Sequence, residues 1–391
     1  MAVEKIAILS ANIPPYYSGA GKRALNQAKY LVHKGYKIVF ITTTPYPEKI
    51  PGMDIVVIPI PKYYETISLA GTLSRQFYHP ILFAKLLQIL VKKKIKLLHC
   101  IPAFSWLSYN AVLAAKLTGI NVIIESTLEG SDDPLAIKRS RIGSLKFVIF
   151  KMADAIINIS PLLVSRCREA GLPEEKLYLI PNSVDINRFC PPAAETKVEL
   201  KRSLKLDQYD CIFIYAGIMR SRKRVDLLIE VFKIVKKQLN GSLLVLAGPI
   251  DKDDENVFYY KQLKKQVESE GLNGAVIFTG NIDNMEQWMK ASDIFLFASE
   301  REGFGTVMVE AMSTGLPVVA MRIPHITDFI IDKSGIIVDN KKEFAQALIR
   351  LAKDDNYRDS LSLLARERVM NNFSNDMIMK QYLDLYNRFI N

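Results

Sequence analysis

Short apolar runs alternate with amphipathic stretches from the beginning of the chain. Residues 5–10 form an apolar run, and residues 22–34 place apolar side chains on one helical face before Gly35 ends the helix. The next apolar run covers residues 37–43. A strand, a helix and a second strand in this order predict a βαβ unit with parallel strands.

The alternation continues through two halves of the chain. It predicts further strands at 54–58, 95–100, 121–127, 153–160 and 177–180, then at 211–216, 242–247, 275–279, 293–298, 316–320 and 335–338. Two prolines at 191–192 interrupt the pattern, so residues 189–194 are typical of a linker. We expect an α/β protein with two doubly wound Rossmann-like domains, 1–190 and 191–373, facing a central cleft. A last helix, 374–391, is rich in Tyr and Leu and is expected to pack across the domain junction.

Composition narrows the class of protein. No apolar run is long enough for a transmembrane helix, and a net charge of +11 favours anionic partners such as nucleotides, nucleic acid or anionic lipid. The four cysteines are scattered without C-x-x-C spacing, which argues against a zinc site and a disulfide framework. We expect a cytoplasmic protein, with the inner face of the membrane as an alternative position.

The stretch 299–320 carries the clearest chemistry. A turn with two glycines at 302–305 follows a predicted strand, and a helix at 306–314 follows the turn. Unpaired N–H groups at a helix N-terminus suit a phosphate. The carboxylates of Glu302 and Glu310 suit sugar hydroxyls instead. The stretch therefore predicts a site for a ligand with both phosphate and hydroxyl groups.

Two other loops extend this prediction. Residues 19–24 fit G-x-G-x-x-A, but they lie far from their strand, and Arg23 stands where a P-loop needs Ser or Thr. We interpret Gly19 to Gly21 as a turn that lets a ligand approach a helix N-terminus. In the second half, four basic residues within 220–224 lie between a strand and a helix, as in a diphosphate clamp, and Gly280 follows a strand at the same rim.

Several stretches allow two interpretations. Glu129, Asp132 and Asp133 follow a strand and belong either to a site or to a capped turn. The basic, apolar region 63–94 either packs in the core or contacts a membrane, and the basic, amphipathic region 138–151 adds to the second alternative. We interpret the D-x-D sequence at 251–253 as surface.

Together these residues resemble the retaining glycosyltransferases with two Rossmann-like domains (GT-B), in particular glycosyltransferase family 4. The most specific match is the E-x7-E motif formed by Glu302 and Glu310, supported by the glycine loop at 19–21 and by residues 181–189 and 216–228. The resemblance implies sugar transfer from a nucleotide-diphosphate donor with retained anomeric configuration and no metal. It also implies that the last helix crosses back to the N-terminal domain.

The resemblance implies a specific role for individual residues of this chain. The resemblance implies that Glu310 holds ribose hydroxyls, Glu302 the donor sugar, and Lys223 the diphosphate. The implied catalytic residues are Glu302, Lys223 and Glu129, and the implied donor-binding residues are Gly19, Ala20, Gly21, Gly217, Arg220, Arg222, Lys223, Gly280, Glu302, Gly303, Phe304, Gly305, Thr306, Val307 and Glu310. No cofactor is expected beyond the nucleotide sugar.

The chain departs from the family pattern at several positions. Gly-Gly is often found where this chain has Ser18-Gly19 or Gly19-Ala20. Ile218 stands where an arginine is frequent, Glu129 where many members have a histidine, and Asp328 where a glutamate is usual. Glu129 is therefore expected to orient a sugar hydroxyl or to accept the acceptor's proton.

The alternatives are a nucleotide-sugar-binding protein with little turnover and an NAD-dependent oxidoreductase. The expected partners are a nucleotide sugar, a sugar, lipid-linked or small-molecule acceptor, and an anionic membrane surface. Nucleic acid is not expected, because aromatic and basic residues are not interleaved in a short module.

Overall fold

The chain folds into two compact units. One consists of Met1–Asn182 with Met379–Asn391, and the other of Ser183–Ile378. The structure is a computed structural model that describes residues 5–14, 19–59, 69–250 and 254–390, with the backbone alone for 69–78. The chain passes from the first unit to the second at Asn182, earlier than the predicted boundary.

The first unit contains a seven-stranded sheet in the order β3-β2-β1-β4-β5-β6-β7, with every neighbouring pair parallel. Its strands are β1 Lys5–Leu9, β2 Lys37–Thr42, β3 Met53–Val57, β4 Leu97–Cys100, β5 Asn121–Ser126, β6 Ala155–Asn158 and β7 Leu177–Leu179. Its helices are α1 Gly19–His33, α2 Leu69–Lys92, α3 Trp106–Leu117, α4 Pro134–Arg139, α5 Gly143–Lys151 and α6 Pro161–Glu169. Strands β4 and β6 are fully buried because helices cover a parallel sheet on both faces.

The second unit contains a six-stranded sheet in the order β10-β9-β8-β11-β12-β13, also parallel throughout. Its strands are β8 Cys211–Ala216, β9 Ser242–Ala247, β10 Val276–Gly280, β11 Ile294–Phe297, β12 Val318–Met321 and β13 Ile336–Val338. The helices are α7 Ala194–Ser203, α8 Val225–Lys236, α9 Asp254–Ser269, α10 Met285–Ala291, α11 Thr306–Ser313, α12 Thr327–Ile331, α13 Lys341–Lys353 and α14 Asp355–Asn372. A final helix, α15 Asn375–Ile390, begins in this unit and ends in the first.

Strand order fixes where a ligand can bind in each unit. In a doubly wound sheet the chain winds outward in both directions from a switch point, and the loops there diverge to leave a crevice at the carboxyl ends of the strands. The switch point lies between β1 and β4 in the first unit and between β8 and β11 in the second. The loops after β8 and β11 carry the predicted basic cluster and the Glu302 turn.

Each predicted strand is present, with ends that differ by a few residues, but several helices differ from the predictions. Helices α3, α7, α9, α10 and α12 were not predicted, and the basic stretch 138–151 covers the end of α4 and the whole of α5. The stretch 189–194 does not act as a spacer: the Phe189 side chain is buried, and its carbonyl accepts a hydrogen bond from Ser313 Oγ at 2.5 Å. Part of the 63–94 region packs as a core helix, with Leu82, Leu86 and Leu90 fully buried on α2.

Candidate active site

A buried ion pair occupies the switch point of the second unit. Lys223 Nζ contacts Glu302 Oε1, and the two side chains are only 13% and 9% exposed. Lys223 lies in a 3₁₀ turn after β8, and Glu302 lies in the loop after β11. Arg222 joins the two loops, because its Nη1 donates to the Arg301 carbonyl at 2.8 Å and its own carbonyl accepts from Glu300 N at 2.9 Å.

Charge keeps Glu302 ionised in spite of its burial. Burial raises the pKa of a carboxyl group, but the charges of Lys223 and Arg222 outweigh that effect and hold the pKa of Glu302 below its usual range. Arg222 Nη1 lies 3.5 Å from Glu302 Oε2. Burial lowers the pKa of Lys223, Glu302 opposes that shift, and Arg222 and Arg220 add to it. The loop therefore concentrates more positive than negative charge around one carboxylate.

The turn after Glu302 leads directly into α11. Gly305 precedes the helix at φ 100°, a conformation that a side chain would strain, and a Cβ there would lie 2.6 Å from Met308 Cε. The backbone N–H groups at Thr306 and Val307 thus open a helix at the same edge as the ion pair, where a phosphate is favourable. Glu310 lies on this helix and is half-buried.

Phe304 contributes to this turn through its backbone only. Its side chain is buried against Phe373 and Phe329, with ring centroids 5.8 and 6.5 Å away. Gly303 is buried as well. The expectation that residues 303–307 bind donor therefore rests on main-chain groups.

Three glycines hold the loops after β8, β9 and β10 together. Gly248 N donates to the Gly280 carbonyl at 3.0 Å, and a Cβ at Gly248 would lie 2.0 Å from the Gly217 carbonyl oxygen. The loops can therefore approach only without side chains. Arg220, Ser221, Arg222 and Arg301 line an open depression of about 320 Å³ beside them, together with Glu255 and Asn256.

The predicted glycine loop of the first unit forms the first turn of α1. Gly21 is required sterically, because a Cβ there would lie 1.7 Å from the Asn12 carbonyl oxygen. At Gly19 a Cβ would meet no atom within 4 Å. Ala20 lies between them and is partly exposed. The turn lies after β1, on one side of that unit's switch point.

The acidic loop after β5 divides between two roles. Arg166 donates to Glu129 Oε1 from Nη2 at 2.6 Å and from Nε at 3.2 Å. Asp133 caps α4 by accepting hydrogen bonds from Leu135 N and Ala136 N at 3.0 Å. Asp132 is buried and accepts from Thr127 and Leu128, and burial raises its pKa to about 6. Asp132 and Asp133 thus stabilise the loop itself, whereas Glu129 pairs with Arg166 and its side chain is 20% exposed.

Comparison with known proteins assigns the family. The model for "Glycosyl transferases group 1" matches residues 196–368, and the model for "Glycosyltransferase Family 4" matches residues 17–188. The chain belongs to glycosyltransferase family 4. The N-acetyl-alpha-D-glucosaminyl L-malate synthase of Bacillus anthracis is 24% identical over 95% of this chain and 94% of its own length. A lipopolysaccharide core biosynthesis mannosyltransferase, LpsB of Rhizobium meliloti, is 28% identical over 63% of this chain and 64% of its own.

Solved structures give the glycosyltransferase the GT-B fold. The crystal structure of Anabaena HepE in complex with UDP and glucose superposes with a TM-score of 0.79 at 19% identity, covering 98% of this chain and all of that one. A sucrose-phosphate synthase from Thermosynechococcus elongatus gives 0.75 at 20% identity and covers 98% of each chain. These structures confirm the predicted fold class, and the family models confirm the predicted enzyme class.

The sequence reasoning missed a buried polar network in the first unit of the glycosyltransferase. Glu125 on β5 is fully buried, contacts Arg23 on α1, and accepts a hydrogen bond from Tyr382 Oη on α15 at 2.9 Å. His99 Nδ1 lies 2.6 Å from Tyr386 Oη, and the same hydroxyl oxygen accepts a hydrogen bond from Gln27 Nε2 at 2.8 Å. The signal was a glutamate inside an apolar strand, since such a position demands a buried cation.

Two predictions remain without structural description. The D-x-D sequence at 251–253 and the beginning of the 63–94 region lie outside the described residues. Among the helices that are described, none has both the length and the apolar character needed to cross a bilayer.

Proposed function

We propose that this glycosyltransferase transfers a sugar from a nucleotide-diphosphate sugar to a hydroxyl-bearing acceptor, with retention of anomeric configuration and without a metal ion. The observation that carries the proposal is the Lys223–Glu302 ion pair at the switch point, beside the N-terminus of α11. The HepE structure, which contains UDP and glucose, supports the donor class.

The cations act on the leaving group. As the bond between the anomeric carbon and the diphosphate oxygen breaks, negative charge grows on the diphosphate. Lys223, Arg222 and the N–H groups at the start of α11 are fixed before the reaction, so they stabilise that charge without reorganising. Because these groups supply the positive charge that a divalent ion would otherwise bring, the proposal needs no metal.

The carboxylates hold hydroxyl groups. Glu302 is ionised and held by Lys223, which suits a hydrogen-bond acceptor for a donor-sugar hydroxyl. Glu310 on α11 is proposed to hold the ribose. Of the two carboxylate oxygens of Glu129, Oε1 accepts both hydrogen bonds from Arg166. The other oxygen, Oε2, has no hydrogen bond within the part of the chain that the structure describes. Glu129 is therefore proposed to orient a hydroxyl of the acceptor or donor sugar.

The test is turnover with a panel of UDP- and GDP-sugars in the presence of EDTA, measured as release of nucleoside diphosphate. NMR of the product's anomeric proton then reports the configuration. Glu302→Ala should abolish transfer. Glu300→Ala is the matched control, since Glu300 lies two positions earlier and is 57% exposed. Activity that disappears with EDTA and returns with Mg²⁺, or an inverted product, would contradict the proposal.

A further inference from the structure

One helix of the first unit exposes an apolar stripe in a segment of the chain that is rich in basic residues. Ile142, Leu145 and Val148 are 64%, 59% and 52% exposed, although Phe147 and Phe150 on the same helix are buried. Scattered single apolar residues are normal on protein surfaces, but a contiguous group on one helical face indicates an interaction site. We call this surface the α5 face; it comprises Ile142, Leu145 and Val148 with the basic residues Lys138, Arg139, Arg141, Lys146 and Lys151.

The charge around the stripe has one sign. Residues 134–153 contain those five basic residues and no acidic residue. Arg139 and Arg141 are exposed and make no ion pair among the described residues. The chain as a whole has 52 basic and 41 acidic residues, a net charge of +11, and residues 134–153 contribute +5 of it.

Aromatic rings hold several of the amines beside the stripe. Lys138 Nζ lies 4.1 Å and Lys151 Nζ 5.4 Å from the centroid of Phe147. Lys146 Nζ lies 5.0 Å from that of Phe104. Lys138 Nζ also donates to the Ala170 carbonyl at 2.8 Å and Lys146 Nζ to Ser140 Oγ at 3.2 Å. None of these contacts places an acidic side chain beside the amines.

The corner before α5 has an unusual backbone conformation. Ile142 adopts φ 55°, a left-handed conformation that is a genuine outlier for a β-branched residue. A Cβ at Gly143 would lie 2.1 Å from the Lys138 carbonyl oxygen, so the corner between α4 and α5 closes tightly. Strain of this kind persists only where the surrounding structure determines it.

We propose that the α5 face binds the surface of an anionic lipid bilayer, with its apolar stripe among the acyl chains and its cations at the headgroups. A short amphipathic helix with basic residues beside an exposed apolar face is the geometry of interfacial binding. The uniform positive charge selects an anionic surface over a neutral one. The proposal is independent of the donor and acceptor proposed above.

The experiment is flotation of the full chain with vesicles of phosphatidylcholine, alone or mixed with phosphatidylglycerol. The protein should bind the mixed vesicles and bind phosphatidylcholine weakly. Leu145→Glu with Val148→Glu should reduce binding at least about tenfold, and the milder Leu145→Ser with Val148→Ser should reduce it less. Leu363→Glu with Leu364→Glu on α14 is the matched control, because both leucines are exposed in the other unit and should leave binding unchanged.

A second pair of variants separates a local site from net charge. Arg139→Glu with Arg141→Glu should weaken binding more than about twentyfold, since each basic residue near the surface contributes about a factor of five. Lys264→Glu with Lys265→Glu on α9 changes the net charge equally and should have little effect. Equal losses in the two variants would overturn the proposal, as would no binding by the unmodified protein. A change of oligomeric state on replacing Leu145 and Val148, with vesicle binding intact, would assign the face to a second copy instead.

Discussion

Replacing Lys223 by methionine tests whether the ion pair is part of the fold, of the site, or of both. The pair is nearly buried, so removing one charge leaves the other in a medium that solvates it poorly. Breaking such a pair costs about 3–5 kcal/mol. Arg222 Nη1 remains 3.5 Å from Glu302 and still compensates part of its charge. We therefore expect the free energy of unfolding of Lys223→Met to fall by about 2–3 kcal/mol.

The double variant, Lys223→Met with Glu302→Gln, separates coupling from packing. A buried pair replaced as a whole is often energetically neutral, so the double variant should cost about 1 kcal/mol or less relative to the unmodified chain. Glu302→Gln alone should also cost about 2–3 kcal/mol, so the two single losses sum to about 4–6 kcal/mol and exceed the loss in the double variant by at least about 3 kcal/mol. Turnover should be lost in all three variants, because each lacks a group that the proposed reaction needs.

The two tryptophans lie in different units, so fluorescence can follow the unfolding of each unit separately. Trp106 is on α3 in the first unit, and Trp288 is on α10 in the second. In a Trp106→Phe background, urea unfolding followed by fluorescence reports the second unit through Trp288. If the losses of the two single variants add in the double variant, the pair is not coupled and the argument fails.

The pH dependence has a defined sign. The pKa of Glu302 is held below its ordinary value of 4.5, so its ion pair contributes stability above about pH 4.5. That contribution is lost as the pH falls through the folded-state pKa. The difference in unfolding free energy between the unmodified chain and Lys223→Met should therefore narrow in acid. A difference that stays constant from neutral pH to below the folded-state pKa would contradict this assignment.

Two further substitutions test the first unit. Gly21→Ala should lower the free energy of unfolding by about 1–3 kcal/mol, because its Cβ would overlap the Asn12 carbonyl; Gly19→Ala, where a Cβ meets nothing within 4 Å, is the control and should change it little. Equal effects at both positions would show that the contact with Asn12 is not the cause. Glu125→Gln should cost about 3 kcal/mol by leaving Arg23 without its buried partner, measured through Trp106 in a Trp288→Phe background. Full stability in that variant would show that water solvates Arg23 there.

The strands were predictable because buried parallel strands are short, continuous apolar runs. Strand β8 and strand β9 are buried along their whole length and correspond residue for residue to the predicted runs. The E-x7-E turn was predictable for a similar reason. Its glycines, the start of its helix and its two carboxylates all lie within one short stretch of the sequence.

The features that could not be predicted from the sequence depend on tertiary contacts. Helix α7 has no buried residue and therefore lacks the apolar periodicity that predicts a helix. The pairing of Lys223 with Glu302 joins positions separated by 79 residues, and that of Glu125 with Tyr382 spans 257. No local pattern records which distant partner a charged residue meets, so these contacts emerge only from the strand order.

The return of α15 to the first unit sets an order on biosynthesis. Every strand of that unit is complete by Leu179, but the hydroxyls that contact Glu125 and His99 belong to Tyr382 and Tyr386. A ribosome must therefore synthesise the whole of Ser183–Ile378 before those partners exist. Until then Glu125 has Arg23 but lacks the Tyr382 hydroxyl, and His99 lacks the Tyr386 hydroxyl. The first unit is thus synthesised first, but its buried polar contacts can be completed only after the second unit has been synthesised.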